Sequence, residues 1–416
     1  MRAGEIARPH TARTYHSNKG PRGSTVRGLP QRPLTARVLH PADVERGTTP
    51  RVRRLSLAVN AAVAQEAIST HRSTHSSGTP RDQLDDPARD APGQHWSEPK
   101  DAKRDALRHV RVLAGHGDYM EREQAVNKLS ELLEGQHISR SWLVDQGDLV
   151  ENLVALAQLG TPAQKDSAAV LLCRIADGSA KIKEAIVNVP RTIQALMRLL
   201  RGSTDVQRVN AAAMVWFLAE NEKFRTSVMS HSTMLELLVE CIDQGTSPQS
   251  EHACGALRML TFQNEKNALS TLQIEGLHGI LLNAAKSGSQ GESLQAVSLI
   301  AQLSSYETIS RQFRSQFAAL EDSLECLVRM LAQDARHREA IEIKLQAAIC
   351  VRNLLIIPEV CEMCRTFPDL VPLSIACFAN SEGMLRIRML GVLKAMANDD
   401  AMRDSMVSCT SNSGLS

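Results

Sequence analysis

The segment RVNAAAMVWFLA, residues 208–219, carries apolar side chains on almost every face of the helix that it predicts. Trp216 and Phe217 form a bulky aromatic pair within it. The apolar run is far shorter than the roughly 18–20 residues that span a bilayer, and Asn210 and Glu220 bound it, so it is not a transmembrane helix. The segment is therefore either protein core or the floor of a binding surface.

The same pattern recurs at six other places, each aligned on the residue that opens an apolar helix. The seven anchor residues are Ala125, Ala168, Ala211, Ala253, Ala296, Ala347 and Met389. Their spacings are 43, 43, 42, 43, 51 and 42 residues. Position +n denotes the n-th residue after an anchor, and positions +4 and +7 are apolar in every copy. Because positions 0, +4 and +7 share one face of an α-helix, the pattern predicts seven amphipathic helices in one register.

Between the anchored helices, the sequence predicts a short helix and a second amphipathic helix, with Gly or small polar residues at the turns. Three helices in a period near 42 residues resemble the armadillo repeat, and Asp205–Asn221 is the segment most similar to it. The resemblance extends over about residues 104–410 and is the basis for an all-α prediction. It implies an α-α superhelix, a solenoid whose units bury their apolar faces by stacking. Residues 411–416 are expected to form a short tail.

The first 100 residues differ from the rest in composition. They hold 16 basic and 9 acidic residues, a net charge of +7, whereas the remainder has a net charge of −5. They are rich in Pro and Arg and lack helical periodicity, so they bury too little apolar surface to offset the entropy of ordering. We predict a disordered basic extension over residues 1–100, with residues 51–69 as a candidate short helix. The Arg-rich start is also typical of an organelle transit peptide, which is the alternative.

The fifth spacing, from Ala296 to Ala347, exceeds the others by eight or nine residues. We place the excess in the charged segment AQDARHREAIEIK, residues 332–344, just before an anchored helix. The segment either lengthens that helix or forms a projecting loop. A surface insertion without a role of its own is the simplest interpretation.

The armadillo resemblance implies that the third helix of each unit lines a concave groove. Because positions 0, +4 and +7 point into the stack, positions −1, +2 and +6 are predicted to face this groove. The candidate partner contacts are Arg174, Trp216, Phe217, His252, Arg258, Met259, Gln302, Arg352 and Asn353. Aromatic residues and Met beside Arg are typical of binding hot spots, so Phe217 and Met259 are predicted to be exposed anchors. Burial in the core is the alternative for both, and for Trp216 it is the favoured one.

The length and side chains of the groove limit what it binds. Seven layers about 8–10 Å apart give a groove of roughly 60 Å, which holds some 15–20 extended residues at about 3.3–3.6 Å each. The basic extension could bind there in cis, beside the acidic residues Glu131, Glu134, Asp166 and Asp177. The repeated Trp at +2 and Asn at +6 of importin-α-type adaptors are missing, so recognition of a basic nuclear-localisation signal is not expected.

Catalytic and cofactor motifs are missing from the sequence. Cys361 and Cys364 form a C-x-x-C pair, but no second pair stands at a zinc-site distance. No H-E-x-x-H, phosphate-binding glycine loop or G-x-S-x-G elbow is found, so no enzyme activity, metal, cofactor or small-molecule substrate is predicted. The side chains at equivalent positions of the seven copies do not repeat, and the chain after residue 100 has a net negative charge. Both features argue against nucleic acid as a partner.

These features predict a non-catalytic scaffold or adaptor, a monomer that binds a segment of another protein in the groove of the solenoid. Nine scattered cysteines and no secretory apolar segment are typical of reduced thiols in the cytoplasm or the nucleus. The first alternative is a substrate-recruiting component of a ubiquitin-ligase system, because plant-type ligases have similar repeats. A nuclear-transport or RNA-binding helical-repeat protein is less favoured. A vesicle adaptor is disfavoured because position 2 is Arg rather than Gly.

Overall fold

A computed structural model of the chain describes residues 100–231, 233–306, 310–334 and 337–412. Within these ranges the protein is all-helical and has no strand, as the sequence predicts. Residues 1–99 of the predicted extension, with the candidate helix at 51–69, and residues 413–416 of the predicted tail lie outside the described residues, whereas Lys100 begins a helix and residues 411 and 412 end one. None of the described helices combines the length and the apolar character that crossing a bilayer requires.

The helices follow the predicted three-helix period. The helices that carry the anchors, called third helices below, are α2 (Tyr119–Glu134), α5 (Pro162–Ala176), α8 (Asp205–Leu218), α11 (Ser247–Thr261), α14 (Gln290–Leu303), α17 (Arg338–Leu354) and α20 (Gly383–Met396). The shorter first helices are α3 (Arg140–Val144), α6 (Ala180–Asn188), α9 (Glu222–Val228), α12 (Glu265–Leu272), α15 (Ser310–Ala318) and α18 (Pro358–Arg365). The second helices are α4 (Leu149–Leu159), α7 (Thr192–Leu200), α10 (Thr233–Gln244), α13 (Leu277–Ser287), α16 (Ser323–Ala332) and α19 (Leu370–Ala379). Outside this pattern lie α1 (Lys100–Arg111), a π-helix (Val112–His116) and α21 (Asp400–Asn412).

The apolar positions of the third helices form the core. All seven anchors are buried, and so are the position +4 residues Leu129, Leu172, Val215, Leu257, Ile300 and Val351. Successive third helices pack along most of their length, whereas successive first helices touch at only a few points. The third helices therefore lie on the inner side of the stack, as the armadillo resemblance implies.

Five of the seven third helices begin at a repeated capping motif that sequence reasoning missed. The N-cap residues Asp118, Thr161, Thr204, Thr246 and Ser289 each stand seven residues before an anchor, and a Glu or Gln follows three residues later. The Thr161 hydroxyl accepts from the Gln164 N–H at 3.3 Å, and Gln164 Oε1 accepts from the Thr161 N–H at 3.0 Å. Such a reciprocal pair satisfies two free N–H groups of a helix start, and its fixed distance from the anchor is visible in the sequence.

The same Glu and Gln side chains also connect neighbouring layers. Gln164 Nε2 donates to the Tyr119 carbonyl oxygen at 2.9 Å. Gln249 Nε2 donates to the Asp205 carboxylate at 2.9 Å. In both cases the partner is the first residue of the preceding third helix. The capping residue therefore sets the helix start and the register between two layers at once.

Replacing Gln164 with Ala is expected to lower the free energy of unfolding by about 2 kcal/mol, because one cap bond and one inter-layer bond are lost. The control is Gln194→Ala on the exposed face of α7, which should stay within about 0.5 kcal/mol of the parent. Urea unfolding followed by circular dichroism measures both. Equal losses for the two variants would contradict the linking role of Gln164.

The extra residues of the fifth interval do not all lie in 332–344, so that part of the prediction is corrected. The helix α17 begins nine residues before its anchor, three earlier than the other third helices. The helix α16 begins 27 residues after the anchor Ala296, whereas α13 begins 24 residues after the anchor Ala253, so three of the extra residues precede Ser323. The insertion therefore lies partly at the lengthened start of α17 and partly before α16.

Candidate functional site

The inner side of the stack is the candidate binding surface, because it is formed by the third helices. At 100° per residue, positions −5, −2, −1, +2, +5 and +6 lie on the side of each third helix that points away from the core. These positions in α2, α5, α8, α11, α14, α17 and α20 are called the inner face below. All nine predicted contact residues belong to it.

The aromatic pair of α8 is buried, so the prediction of an exposed anchor at Phe217 is wrong. Trp216 is 2% exposed and Phe217 is 7% exposed. The Trp216 indole crosses to α11, where it covers Gly255 and lies 5.9 Å, centroid to centroid, from the ring of His252. Phe217 stacks on Trp216 at 6.5 Å, and Lys183 Nζ lies 5.9 Å from its ring. The pair joins two layers and presents no docking surface.

Met259 is 5% exposed, so its predicted role as an exposed anchor is also wrong. Arg258 beside it is equally buried. The reason is the close approach of the third helices, which lets side chains at +5 and +6 reach a neighbouring third helix. The inner face was assigned from the geometry of a single helix, which does not show where a neighbouring third helix covers its side chains.

The polar residues at position +6 bind the preceding layer. Gln302 Nε2 donates to the Arg258 carbonyl oxygen at 2.8 Å. Asn353 Nδ2 donates to the hydroxyls of Ser304 and Ser305, both at 3.0 Å. Both side chains thus hold the end of the preceding third helix, where carbonyl and hydroxyl groups are free of helical bonds.

Arg174 makes the same kind of link near the start of the stack. Its Nη1 donates to Ser130 Oγ at 2.6 Å and pairs with the Glu134 carboxylate at 3.0 Å. Position +6 is therefore a row of contacts between layers. The predicted groove contacts Arg174, Gln302 and Asn353 all have this structural role.

His252 is half-buried against Trp216. Its Nδ1 lies 3.2 Å from the Pro248 carbonyl oxygen, which an Nδ1–H tautomer satisfies. Burial lowers the pKa of His252 to about 4, so the ring is neutral at pH 7. It is a neutral ring held against Trp216 and brings no charge to the inner face.

Two arginines at position +5 bring positive charge to the inner face. Arg258 Nε has no hydrogen-bond acceptor among the described residues. Burial lowers the pKa of Arg258 to about 10, and the charge of Glu342 acts in the opposite direction. Burial lowers the pKa of half-buried Arg352, and the like charge of Arg388 lowers it further. A buried guanidinium is costly unless acceptors surround it, so Arg258 is poised to receive one.

Carboxylates lie on the opposite edge of the inner face, near the N-terminal ends of the third helices. Burial raises the pKa of Glu251, and the charges of Glu339 and Glu292 raise it further. The Glu251 carboxylate occupies the space beside Gly291, where a Cβ would stand 2.4 Å from its oxygen. The inner face thus has an acidic edge and a basic edge.

The cysteines do not assemble into a metal site. In the ranges that the structure covers, no three His, Cys, Asp or Glu side chains are grouped so as to hold a metal ion. In the C-x-x-C pair, the Cys361 thiol donates to the Leu355 carbonyl oxygen at 2.9 Å, and burial raises the pKa of Cys364 to about 12. Both groups are therefore protonated thiols with a packing role.

Comparisons with known proteins concern the fold. No protein-family model and no curated protein matches the chain. An engineered protein from the Northeast Structural Genomics Consortium matches 73% of this chain and 71% of its own, with a TM-score of 0.61 at 19% identity. A designed armadillo repeat protein matches 60% of this chain and 99% of its own, with a TM-score of 0.52 at 18% identity. A further engineered protein from the consortium matches 60% and 96%, with a TM-score of 0.51 at 19% identity. The chain therefore has an armadillo-like helical-repeat fold.

Proposed function

We propose that the protein is a non-catalytic scaffold that binds an extended segment of a partner protein along the inner face. Stacked helical layers produce a long continuous surface of this kind, on which successive third helices contact successive residues of the segment. The buried aromatic and Met side chains at +5 and +6 support that surface from beneath. The contacts themselves come from polar and charged residues of the inner face, among them half-buried Arg352 and, beneath the surface, buried Arg258.

One observation carries the proposal. Arg258 Nε and Gln295 Oε1 are both buried and lack hydrogen-bond partners among the described residues. Position +5 of α8, Trp216, contacts position −1 of the next third helix, His252. The same register places Arg258 of α11 beside Gln295 of α14. Buried polar groups without partners are rare in proteins, and a bound group that supplies the missing hydrogen bonds is one explanation for them.

The partner segment is expected to bring an acidic side chain to this level of the stack. Arg258, Arg352 and Arg388 lie on α11, α17 and α20, so their guanidinium groups are spread along the inner face. A carboxylate is the acceptor that a guanidinium binds most strongly, through charge and two parallel hydrogen bonds. It would also offset the like charges that lower the pKa of Arg352.

A random peptide library displayed against the full chain tests the proposal. We expect enrichment of peptides that contain Asp or Glu, and an enriched peptide should bind Arg352→Glu at least about thirtyfold more weakly, the equivalent of a hot spot of 2 kcal/mol. The matched control is Arg201→Glu, a charge reversal at the exposed end of α7. Circular dichroism confirms that both variants fold. No enrichment, or equal binding to the two variants, would refute groove binding.

A further inference from the structure

Contacts between the earlier third helices show which positions of a third helix face the layer that follows it. The Cys350 thiol, at position +3 of α17, lies 3.7 Å from the carbonyl oxygen of Val297, at position +1 of α14. The Glu251 carboxylate, at position −2 of α11, lies against Gly291 at position −5 of α14. Positions +1 and −2 of a third helix therefore pack against the third helix that comes next.

In the six earlier third helices, position +1 is fully covered by that neighbour. Its residues are Val126, Ala169, Ala212, Cys254, Val297 and Ala348, and all are buried. In α20 the same position is Leu390, which is 56% exposed, and Ile387 at position −2 is 61% exposed. Met384 continues the stripe one turn earlier and is also exposed. These three residues, spaced i, i+3 and i+6, are called the α20 stripe below.

The opposite end of the stack has a different character. Positions −1, +3 and +6 of α2 face away from the layers that follow, and they are Gln124, Lys128 and Glu131. Gln124 and Glu131 are exposed, and Lys128 pairs with Glu131 at 3.0 Å. A polar end of this kind is what keeps a solenoid from stacking further. At these three positions α2 therefore offers no apolar counterpart to the α20 stripe, and its exposed apolar residues, Tyr119 and Met120, lie in its first turn.

We propose that two copies of this chain associate through the α20 stripe, helix against helix, about a two-fold axis. An interface made by the same patch on both copies closes after two subunits, whereas a head-to-tail contact would continue. In an antiparallel pair centred between Ile387 and Leu390, each Ile387 packs against Leu390 of the second copy. This association would replace the monomer that the sequence predicts.

Charge complementarity supports a second copy as the occupant. In the same register, Lys394 of one copy lies level with residues 382 and 383 of the other, as the spacing of 1.5 Å per residue requires. Glu382 stands there at the N-cap of α20, and both Glu382 and Lys394 are exposed. Two Lys394–Glu382 pairs therefore flank the apolar centre, which makes the face self-complementary in charge.

Sedimentation velocity and light scattering of the full chain over a wide concentration range test the association. Wild type is expected to have the mass of two chains at high concentration and to dissociate on dilution. The double variant Ile387→Glu, Leu390→Glu should dissociate about a hundredfold more readily, because it places charge in the apolar centre. The matched control is Leu159→Glu, at a residue of α4 that is 69% exposed and far from the stripe in sequence. Circular dichroism verifies that each variant is folded.

A charge swap distinguishes the two-fold dimer from any other association through the α20 stripe. Lys394→Glu alone should weaken the dimer, and Lys394→Glu combined with Glu382→Lys should restore it. A wild-type mass of one chain at every concentration overturns the proposal, as does growth beyond two chains. Failure of the swap to restore the dimer overturns the two-fold arrangement.

Discussion

Replacing Gly255 with Val is expected to lower the free energy of unfolding by about 3 kcal/mol, because the new side chain would overlap the Trp216 indole. A Cβ at this position would stand 2.6 Å from the indole ring, which is rigid and packed between two layers. Either the ring moves out of its buried place or the two third helices separate. The effect should spread beyond one layer, because α8 and α11 share this contact.

Two comparisons isolate the cause. Gly279 lies within α13, where a Cβ would meet nothing within 4 Å, so Gly279→Val should change stability by no more than about 0.5 kcal/mol. Trp216→Ala is expected to cost about 3–5 kcal/mol by itself. With the ring removed, adding Gly255→Val should cost little more, and urea unfolding of the double variant measures this coupling. A full additional loss in the double variant would show that the indole is not the obstacle.

The core of the protein was predictable from the sequence because it depends on one helix at a time. Apolar residues at 0, +4 and +7 occur in seven copies, and helical geometry alone puts them on one buried face. The start of each third helix was equally accessible in principle. Thr161 and Gln164, with their equivalents, stand at fixed distances from the anchors and follow the chemistry of helix caps.

The inner face was not predictable in the same way, because it depends on two helices. Positions +5 and +6 point away from their own core, yet a neighbouring third helix reaches them, the next one at Trp216 and the preceding one at Gln302. Trp216 is covered because the facing residue is Gly255, which leaves room for an indole. That pairing joins residues 39 positions apart in sequence, and nothing in the period of a single helix indicates it. A glycine at +2 opposite a large residue at +5 is the signal to look for.

The second large effect concerns Arg258, whose replacement by Met should stabilise the free protein by about 1–3 kcal/mol. Met fills the space of the aliphatic part of the side chain and removes a buried cation whose Nε has no acceptor among the described residues. The same variant should lose the enriched acidic peptides, because the guanidinium is the group that they satisfy. Stability and binding would then change in opposite directions, as is typical of a binding site that is strained without its partner.

Arg225→Met is the matched control, since Arg225 is also a partly buried arginine whose pKa burial lowers. Its Nη1 donates to the carbonyl oxygens of Ala219 and Glu220 at 2.8 and 3.0 Å, so its loss leaves acceptors unpaired. We therefore expect Arg225→Met to destabilise by about 1–3 kcal/mol and to leave peptide binding unchanged. Urea unfolding and peptide titration of both variants measure the contrast. If Arg258→Met destabilises as much as Arg225→Met does, Arg258 is a structural residue, and the acidic-segment proposal loses its main support.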